Sequence, residues 1–295
     1  MATYKKWYDR WSGVPGCSKE VKLISNPYRL LVIDIDGTLI GREGRLSTEN
    51  REALAKVSDS GIEVSLSTGR VPQSCISVIS QLSLDSYHIF CDGALVSNPA
   101  QDKEVYVRPL SKMIVHQAVE FASANGIYLE LYSSTRYFVE QETWATEIRR
   151  QFFGLEPTIV DLTKMWNKER IVKGGLTLSS PEEVARAESF CLRFKDSLHF
   201  SWTKTPAYPD IDFVNIIHPE VSKGKALTAL TSYMGISLGE VVAVGDGVND
   251  LPLLSVAGLT IAMGNAPDEV KAATHYVTLD VDRSGLAAAI NKFLL

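Results

Sequence analysis

The stretch that decides the fold reads Leu31-Val32-Ile33-Asp34-Ile35-Asp36-Gly37-Thr38, an apolar strand that ends on two carboxylates one residue apart. Alternate residues of a strand point to the same side, so Asp34 and Asp36 should lie close together where the strand ends. Like charges placed in this way repel each other unless a cation lies beside them or one carboxyl keeps a proton. The pattern therefore indicates metal-assisted chemistry, although the same residues also fit a hairpin turn at Asp36-Gly37, with Asp34 only ending the strand.

Length and composition indicate an ordinary globular protein. The 295 residues, 45% hydrophobic and 22% charged, suffice for one large or two modest domains. No run approaches the roughly 20 apolar residues needed to cross a bilayer, and the N-terminus lacks the apolar core of a secretion signal. We therefore expect a cytoplasmic protein that does not bind a membrane.

Charge and cysteine usage exclude two further classes. The formal net charge is -5, and the basic residues form no stripe interleaved with aromatic residues, so no nucleic-acid partner is expected. The cysteines are separated along the chain, without any CxxC pair, which predicts neither a zinc site nor a disulfide framework. They are Cys17, Cys75, Cys91 and Cys191.

Strand-like and helix-like patterns alternate from residue 29 onward. Strands are predicted at 30–35, 62–67, 87–91, 241–244 and 259–262, and helices at 47–60, from 72, at 222–233, after 249, and at 267–273 and 284–294. Such alternation predicts an α/β fold with a doubly wound, Rossmann-like parallel sheet that binds ligands at the carboxyl ends of its strands.

The pattern of predicted strands and helices changes in the middle of the chain. Helices are predicted at 111–125, 143–153 and 181–194, a hairpin-like pair at 127–132 and 136–141, and a strand at 172–178. This is an inserted α+β domain. The expected division is an N-terminal extension 1–28, a first core segment 29–97, the insertion 98–209 and a second core segment 210–295.

The N-terminal extension carries Tyr4, Trp7, Tyr8 and Trp11 at helical spacings. It fits a short amphipathic helix packed on its own domain, or a segment that binds a partner. A monomer and a homodimer are both compatible with it.

A second polar cluster, Thr68-Gly69-Arg70, follows the strand at 62–67. Hydroxyl and backbone N–H donors at such a turn can hold an anion next to a helix N-terminus. A capped turn without a ligand is the alternative.

A third cluster surrounds Lys223, the first residue of a helix that Ser222 would cap. A cation there opposes the helix dipole by roughly 0.3–1 kcal/mol, which points to an anionic ligand or a carboxylate nearby. For Lys225 we accept the simpler explanation of an exposed lysine.

The fourth cluster, Gly245-Asp246-Gly247-Val248-Asn249-Asp250, ends another apolar strand. Asn249 or Asp250 could cap the next helix, but Asp246 leaves its strand as Asp34 does. All four clusters thus fall at the predicted carboxyl ends of strands, or in the adjoining loops, of one sheet.

In this order and spacing, the four motifs resemble the haloacid dehalogenase-like phosphatases, and within them the Cof-type branch (subclass IIB) with a large cap inserted after the second motif. The resemblance covers about residues 29 to 295. One departure is visible, because the family usually has Asn-Gly-Ala after the third strand and this chain has Cys91-Asp92-Gly93-Ala94. An extra acid there could repel some anionic substrates.

The resemblance implies a Mg²⁺-dependent phosphatase that hydrolyses a phosphate monoester of a small molecule, such as a sugar phosphate, through an aspartyl phosphate. Asp34 would be the nucleophile and Asp36 the general acid and base. The resemblance also implies that the phosphate is bound by Thr68, Gly69, Lys223 and Asn249. Magnesium would be bound by Asp34, the backbone carbonyl of Asp36 and Asp246, with Asp250 supporting the site. Arg70 would lie on the substrate side.

Two other functions remain open at this point. A phosphomutase would use the same two aspartates and transfer the phosphoryl group within a sugar. A signalling receiver would keep the phosphate on an aspartate, but Asp36 and the long insertion argue against it.

Overall fold

The computed structural model describes residues 26–41, 43–205 and 207–295. The aromatic residues of the predicted N-terminal arm lie outside the described residues. Within the described ranges, no helix is long and apolar enough to cross a membrane. The strands, in chain order, are β1 Leu30–Ile33, β2 Glu63–Leu66, β3 His88–Phe90, β4 Leu95–Asn98, β5 Lys103–Val107, β6 Glu130–Tyr132, β7 Tyr137–Val139, β8 Pro157–Ile159, β9 Lys173–Leu178, β10 His199–Thr205, β11 Tyr208–Ile217, β12 Val241–Gly245, β13 Leu259–Ala262 and β14 Tyr276–Val277.

A parallel sheet of five strands forms the centre of the core, in the order β14-β13-β12-β1-β2. All four residues of β1 are buried. Leu31 and Ile33 pack into one hydrophobic cluster and Leu30 and Val32 into another, because alternate side chains leave opposite faces of the sheet. Both faces are therefore covered, and the predicted doubly wound α/β core is confirmed.

The helices begin and end close to the predicted residues. Ser47 Oγ accepts a hydrogen bond from the backbone N–H of Asn50, and Gly61 follows the end of that helix with a φ of +85°. Ser222 accepts in the same way from Lys225 N–H at 3.2 Å. The helices are Thr48–Asp59, Ile76–Gln81, Lys112–Ala124, Trp144–Phe153, Leu162–Met165, Pro181–Phe194, Lys223–Met234, Leu251–Leu254, Asp268–Ala272 and Gly285–Phe293.

The third predicted strand, residues 87–91, joins the sheet differently from the others. Residues 88–90 form β3, and one isolated backbone bridge joins Ile89 to Ser67, the residue after β2. Next to that bridge, the Leu66 N–H donates to Nδ1 of His88, so a side chain replaces a backbone carbonyl as acceptor. β3 instead pairs antiparallel with β4, which pairs with β5, and the three form a small sheet beside the parallel one.

The inserted region forms a second, mixed sheet of six strands in the order β10-β11-β9-β6-β7-β8. Helices Lys112–Ala124 and Pro181–Phe194 pack on one of its faces around a separate hydrophobic cluster. The last strand of this sheet along the chain, β11, continues to Ile217, beyond the predicted boundary at residue 209. At the other boundary, β5 pairs with β4 of the small sheet and not with the six-stranded sheet. We therefore propose that the insertion, hereafter the cap, extends from about 109 to 217.

Candidate active site

The acid pair at the end of β1 meets two cations from distant parts of the chain. Asp34 is 6% exposed. Nζ of Lys223 donates to Asp34 Oδ1 at 2.6 Å and to Asp250 Oδ1 at 2.5 Å. The Asp36 carboxylate accepts from Nε and Nη2 of Arg70 at 2.8 and 2.5 Å. The cation at the unfavourable start of helix Lys223–Met234 is thus matched by two buried carboxylates, as its position in the sequence suggested.

Lys223 keeps its charge despite being buried. Burial by itself lowers the pKa of Lys223, but the Asp250 and Asp34 carboxylates outweigh this effect and raise the pKa above its ordinary value. Asp250 also accepts hydrogen bonds from the backbone N–H groups of Asp246 and Gly247, at 3.1 and 2.9 Å. Its two oxygens thus join the lysine to the loop that carries Asp246.

The carboxylate of Asp246 is held in position on both oxygens. Thr38 Oγ1 donates to Oδ1 at 2.8 Å, and Asn265 Nδ2 donates to Oδ2 at 3.1 Å. Asn265 Nδ2 also lies 2.9 Å from the carbonyl oxygen of Gly37. A Cβ atom on Gly37 would lie only 2.2 Å from Asp246 Oδ2, and Gly37 has a φ of +92°. Only glycine therefore fits between the acid pair and Asp246.

Three buried or partly buried acids form one cluster. Asp34, Asp246 and Asp250 each offer a carboxylate oxygen, and these oxygens lie within 4.8 Å of one another. Burial raises the pKa of Asp34 well above its usual range; Lys223 lowers it, and the Asp250 and Asp246 carboxylates raise it further. Burial and the neighbouring Asp250 also raise the pKa of Asp246, to about 7.

The cluster has the chemistry of a divalent cation site. The three carboxyl groups have one ammonium group among them, that of Lys223, which contacts Asp34 and Asp250 but not Asp246, so acidic groups outnumber cations in the cluster. Carboxylate oxygens are the ligands that Mg²⁺ prefers. The residues present therefore fit this ion.

The second motif lies against Asp92 and Asn249. Thr68 is buried, and its Oγ1 accepts from the Arg70 backbone N–H at 3.1 Å. Asn249 donates through Nδ2 to Asp92 Oδ1 at 2.9 Å. A Cβ atom on Gly69 would lie 3.1 Å from both carboxylate oxygens of Asp92. The predicted phosphate-binding residues thus lie around one opening at the edge of the sheet.

A cavity of about 540 Å³ lies between the acid cluster and the cap. Lys173 of β9 reaches across to the core and donates to the carbonyl oxygen of Gly69 at 2.7 Å. In the opposite sense, Gln73 of the core donates to the carbonyl oxygen of Ser134 in the cap, at 2.6 Å. The cap side of the cavity carries aromatic and charged residues: Tyr132, Arg149, Phe153, Lys173, His199, Lys204 and Phe213.

All residues singled out as candidates lie at this one place. Eight of them line the cavity: Asp34, Asp36, Thr68, Gly69, Arg70, Lys223, Asp246 and Asn249. The ninth, Asp250, lies just beneath it, bonded to Lys223. Sequence reasoning missed Asn265, although it comes shortly after β13, where the rule of polar residues at strand ends would have found it. Lys173 and Asn215 lie in the cap, and no motif in the sequence indicated them.

Comparisons with known proteins identify the family of this chain. Residues 31–290 match the family described as haloacid dehalogenase-like hydrolase. Phosphatase YwpJ of Bacillus subtilis is 27% identical, over 90% of this chain and 100% of that protein. The 5-amino-6-(5-phospho-D-ribitylamino)uracil phosphatase YcsE of the same organism is 26% identical, over 90% of this chain and 96% of that protein.

A solved structure of a phosphatase of the haloalkanoate (HAD) superfamily from Bacteroides thetaiotaomicron has a similar fold. It superposes with a TM-score of 0.75 and 27% identity, over 94% of this chain and 98% of that one. The chain therefore belongs to the haloacid dehalogenase-like hydrolases. Within that family it is a phosphatase of the Cof type, with its cap inserted between the second and third motifs.

Proposed function

We propose that this protein hydrolyses phosphate monoesters of small metabolites with Mg²⁺, through an aspartyl phosphate formed on Asp34. The observation that carries the proposal is the Lys223 ammonium held between Asp34 and Asp250. This contact fixes one oxygen of Asp34 beside a positive charge, at the floor of a cavity large enough for a substrate. A carboxylate so oriented can attack phosphorus and form a covalent intermediate.

Charge on the transferring phosphoryl group would be stabilised from several sides. Lys223 supplies a full positive charge next to the nucleophile. The hydroxyl of Thr68, the backbone at Gly69 and the amide of Asn249 surround the same opening and supply hydrogen-bond donors. These residues are proposed to bind the phosphoryl oxygens.

Asp36 is proposed as general acid for the leaving alkoxide and then as base for the attacking water. In this structure its carboxylate is held by Arg70, whose guanidinium also lies over the rings of Phe152 and Phe153. Arg70 would thus keep Asp36 near the leaving-group side of the cavity. The resemblance left two roles open for Arg70, contact with phosphate or substrate and a structural ion pair with an acid, and the contact present in this structure is the ion pair with Asp36.

Magnesium would be held by Asp34, Asp246 and the backbone carbonyl of Asp36, with Asp250 supporting the site. When bound, the ion supplies positive charge that offsets the repulsion between the acid cluster and a phosphate dianion. Thr38 and Asn265 keep the Asp246 carboxylate oriented for it.

The cap is proposed to exclude water and to contact the leaving group. Its side of the cavity combines aromatic rings with cations, which suits a leaving group that has a ring or several polar atoms. One relative is named for a phosphorylated ribitylaminouracil. Sugar phosphates, nucleotides, pyridoxal phosphate and flavin mononucleotide belong in the same test.

The test is the release of inorganic phosphate from a panel of such esters, with Mg²⁺ and with EDTA. We expect EDTA to abolish turnover and added Mg²⁺ to restore it. Asp34→Asn should be inactive, whereas Asp59→Asn, on an exposed part of helix Thr48–Asp59, should retain activity. Full turnover in metal-free buffer, or by Asp34→Asn, would contradict the proposal, and isomer exchange without phosphate release would show a phosphomutase.

A further inference from the structure

Asp92 is a buried carboxylate that the proposed reaction does not use. It is 3% exposed and lies in the turn after β3. Among the described residues, no lysine or arginine nitrogen lies within 4.0 Å of its oxygens. The charges of Lys223 and Lys173 act on Asp92 without contacting it. The groups that do contact its oxygens are hydrogen-bond donors, so these donors define what it does.

Those partners are two side-chain amides from different parts of the fold. Asn249 donates to Oδ1 at 2.9 Å, and Asn215 donates to Oδ2 at 2.8 Å. Asn249 belongs to the fourth motif, and Asn215 lies on β11, the cap strand that leads back to the core. A carboxylate can accept from both amides at once because it has acceptors only.

The bond to Asp92 leaves part of Asn249 free. A side-chain amide carries two N–H groups, and Asp92 accepts from one of them. The other remains available to a phosphoryl oxygen in the cavity that Asn249 lines. Asp92 thereby fixes the direction of this donor.

The backbone of the same turn packs against the other two phosphate-binding motifs. Asp92 N–H donates to the Thr68 carbonyl oxygen at 3.0 Å. A Cβ atom on Gly93 would lie 2.4 Å from the carbonyl oxygen of Ser222, directly before Lys223. The turn thus contacts the second, third and fourth motifs at once.

We propose that Asp92 is a positioning residue for phosphate binding, which orients Asn249 and connects the phosphate site to cap strand β11 through Asn215. This inference rests on the proposed function, since it takes Asn249 as a phosphate ligand. The opposite effect, repulsion of the substrate by the Asp92 charge, predicts a change of opposite sign when the carboxylate is removed. The two explanations are therefore separable by experiment.

The first test is Asp92→Gly, which removes both acceptors and tolerates the φ of +53° at this position. Calorimetry would measure the binding of inorganic phosphate to the Mg²⁺-loaded protein and of Mg²⁺ to the metal-free protein. We expect phosphate affinity to fall about tenfold, as for the loss of a hydrogen bond to a charged group, with Mg²⁺ affinity unchanged. Mg²⁺ affinity should not change because Asp92 makes no hydrogen bond to Asp34 or Asp246. A general loss of structure would instead lower the affinity for both phosphate and Mg²⁺.

The second test exchanges the two side chains. Asn215→Asp alone sets two carboxylates against each other and should weaken phosphate binding about tenfold or more. The double variant Asp92→Asn with Asn215→Asp restores a donor and an acceptor, and should return phosphate affinity to within about threefold of the wild type.

The control is Asp85→Asn. Asp85 is exposed and also accepts from two side-chain amides, of Asn98 and Gln101, but does not line the cavity. It should leave phosphate affinity unchanged. Tighter phosphate binding by Asp92→Gly, equal losses of phosphate and Mg²⁺ affinity, or a double variant no better than Asn215→Asp would overturn the inference. The proposed function fails separately, if the wild type shows no hydrolysis that EDTA inhibits.

Discussion

Replacing Lys223 by methionine should destabilise the metal-free protein strongly. Lys223 is 1% exposed and makes two charge-assisted hydrogen bonds, to Asp34 and Asp250. Methionine has a similar length but no charge, so the two carboxylates would remain buried without their cation. Removing one partner of a buried ion pair costs about 3–5 kcal/mol, and we expect a loss of this size in the free energy of unfolding.

The assay is urea unfolding in EDTA, followed by circular dichroism, with Lys225→Met as the matched control. Lys225 lies two residues along the same helix and is exposed, so its replacement should change stability by less than about 0.5 kcal/mol. A loss for Lys223→Met no larger than that of the control would refute the reasoning, because the buried carboxylates would then not depend on the lysine.

The pH dependence of the same variant gives a second check. The pKa of Asp34 is already raised by burial, and removal of the lysine takes away the charge that lowers it. A carboxyl whose pKa is higher in the folded than in the unfolded protein loses stability as the pH rises through the folded value. The deficit of Lys223→Met should therefore be smaller at pH 5 than at pH 8. A deficit that grows toward acid pH would contradict this sign.

Three further predictions follow from particular contacts. Because the pKa of Asp246 is raised to about 7 without metal and that of Asp34 is raised as well, Mg²⁺ affinity measured by calorimetry should fall at least about tenfold for each pH unit below 7, and a flat profile would argue against this. Burial lowers the pKa of His88 from 6.5 to about 4. Between these values the unfolded chain takes up a proton and the folded one does not, so the free energy of unfolding should fall by about 3 kcal/mol as the pH drops through that range. His88→Gln should flatten this dependence of the unfolding free energy on pH. Gly37→Ala should weaken Mg²⁺ binding about tenfold or more through its Cβ at 2.2 Å from Asp246 Oδ2, while Gly61→Ala, also at positive φ but with nothing within 4 Å, should not.

Much of the core was predictable because its signals are local. Apolar runs of four or five residues, helix caps such as Ser47 and Ser222, and polar residues directly after strands are all visible along the chain. Parallel strands bring their carboxyl ends to one edge, so these local signals were enough to predict that Asp34, Lys223 and Asp246 would meet. The structure brings these three side chains together, and their catalytic roles stay a proposal.

The third strand shows where local patterns are insufficient. Residues 87–91 are apolar enough to suggest another parallel strand, yet His88 uses its ring to accept the hydrogen bond of Leu66. Whether a side chain or a backbone carbonyl takes such a bond depends on the neighbour across the sheet. No periodicity in the sequence contains that information.

The amino-acid sequence by itself predicted four of the five strands of the parallel sheet, β1, β2, β12 and β13, and the set of polar residues at the sheet edge, since each depends on neighbours within a few positions. It did not indicate β14. Only the tertiary structure decided which partner each of those side chains has. Asp36 could have faced Lys223 rather than Arg70, and Asp92 could have faced a cation rather than Asn215 and Asn249. Such pairings join residues more than thirty, and in places more than a hundred, positions apart. They are set by how the cap and the loops pack, because hydrogen bonds act over about 3 Å in space and not along the chain.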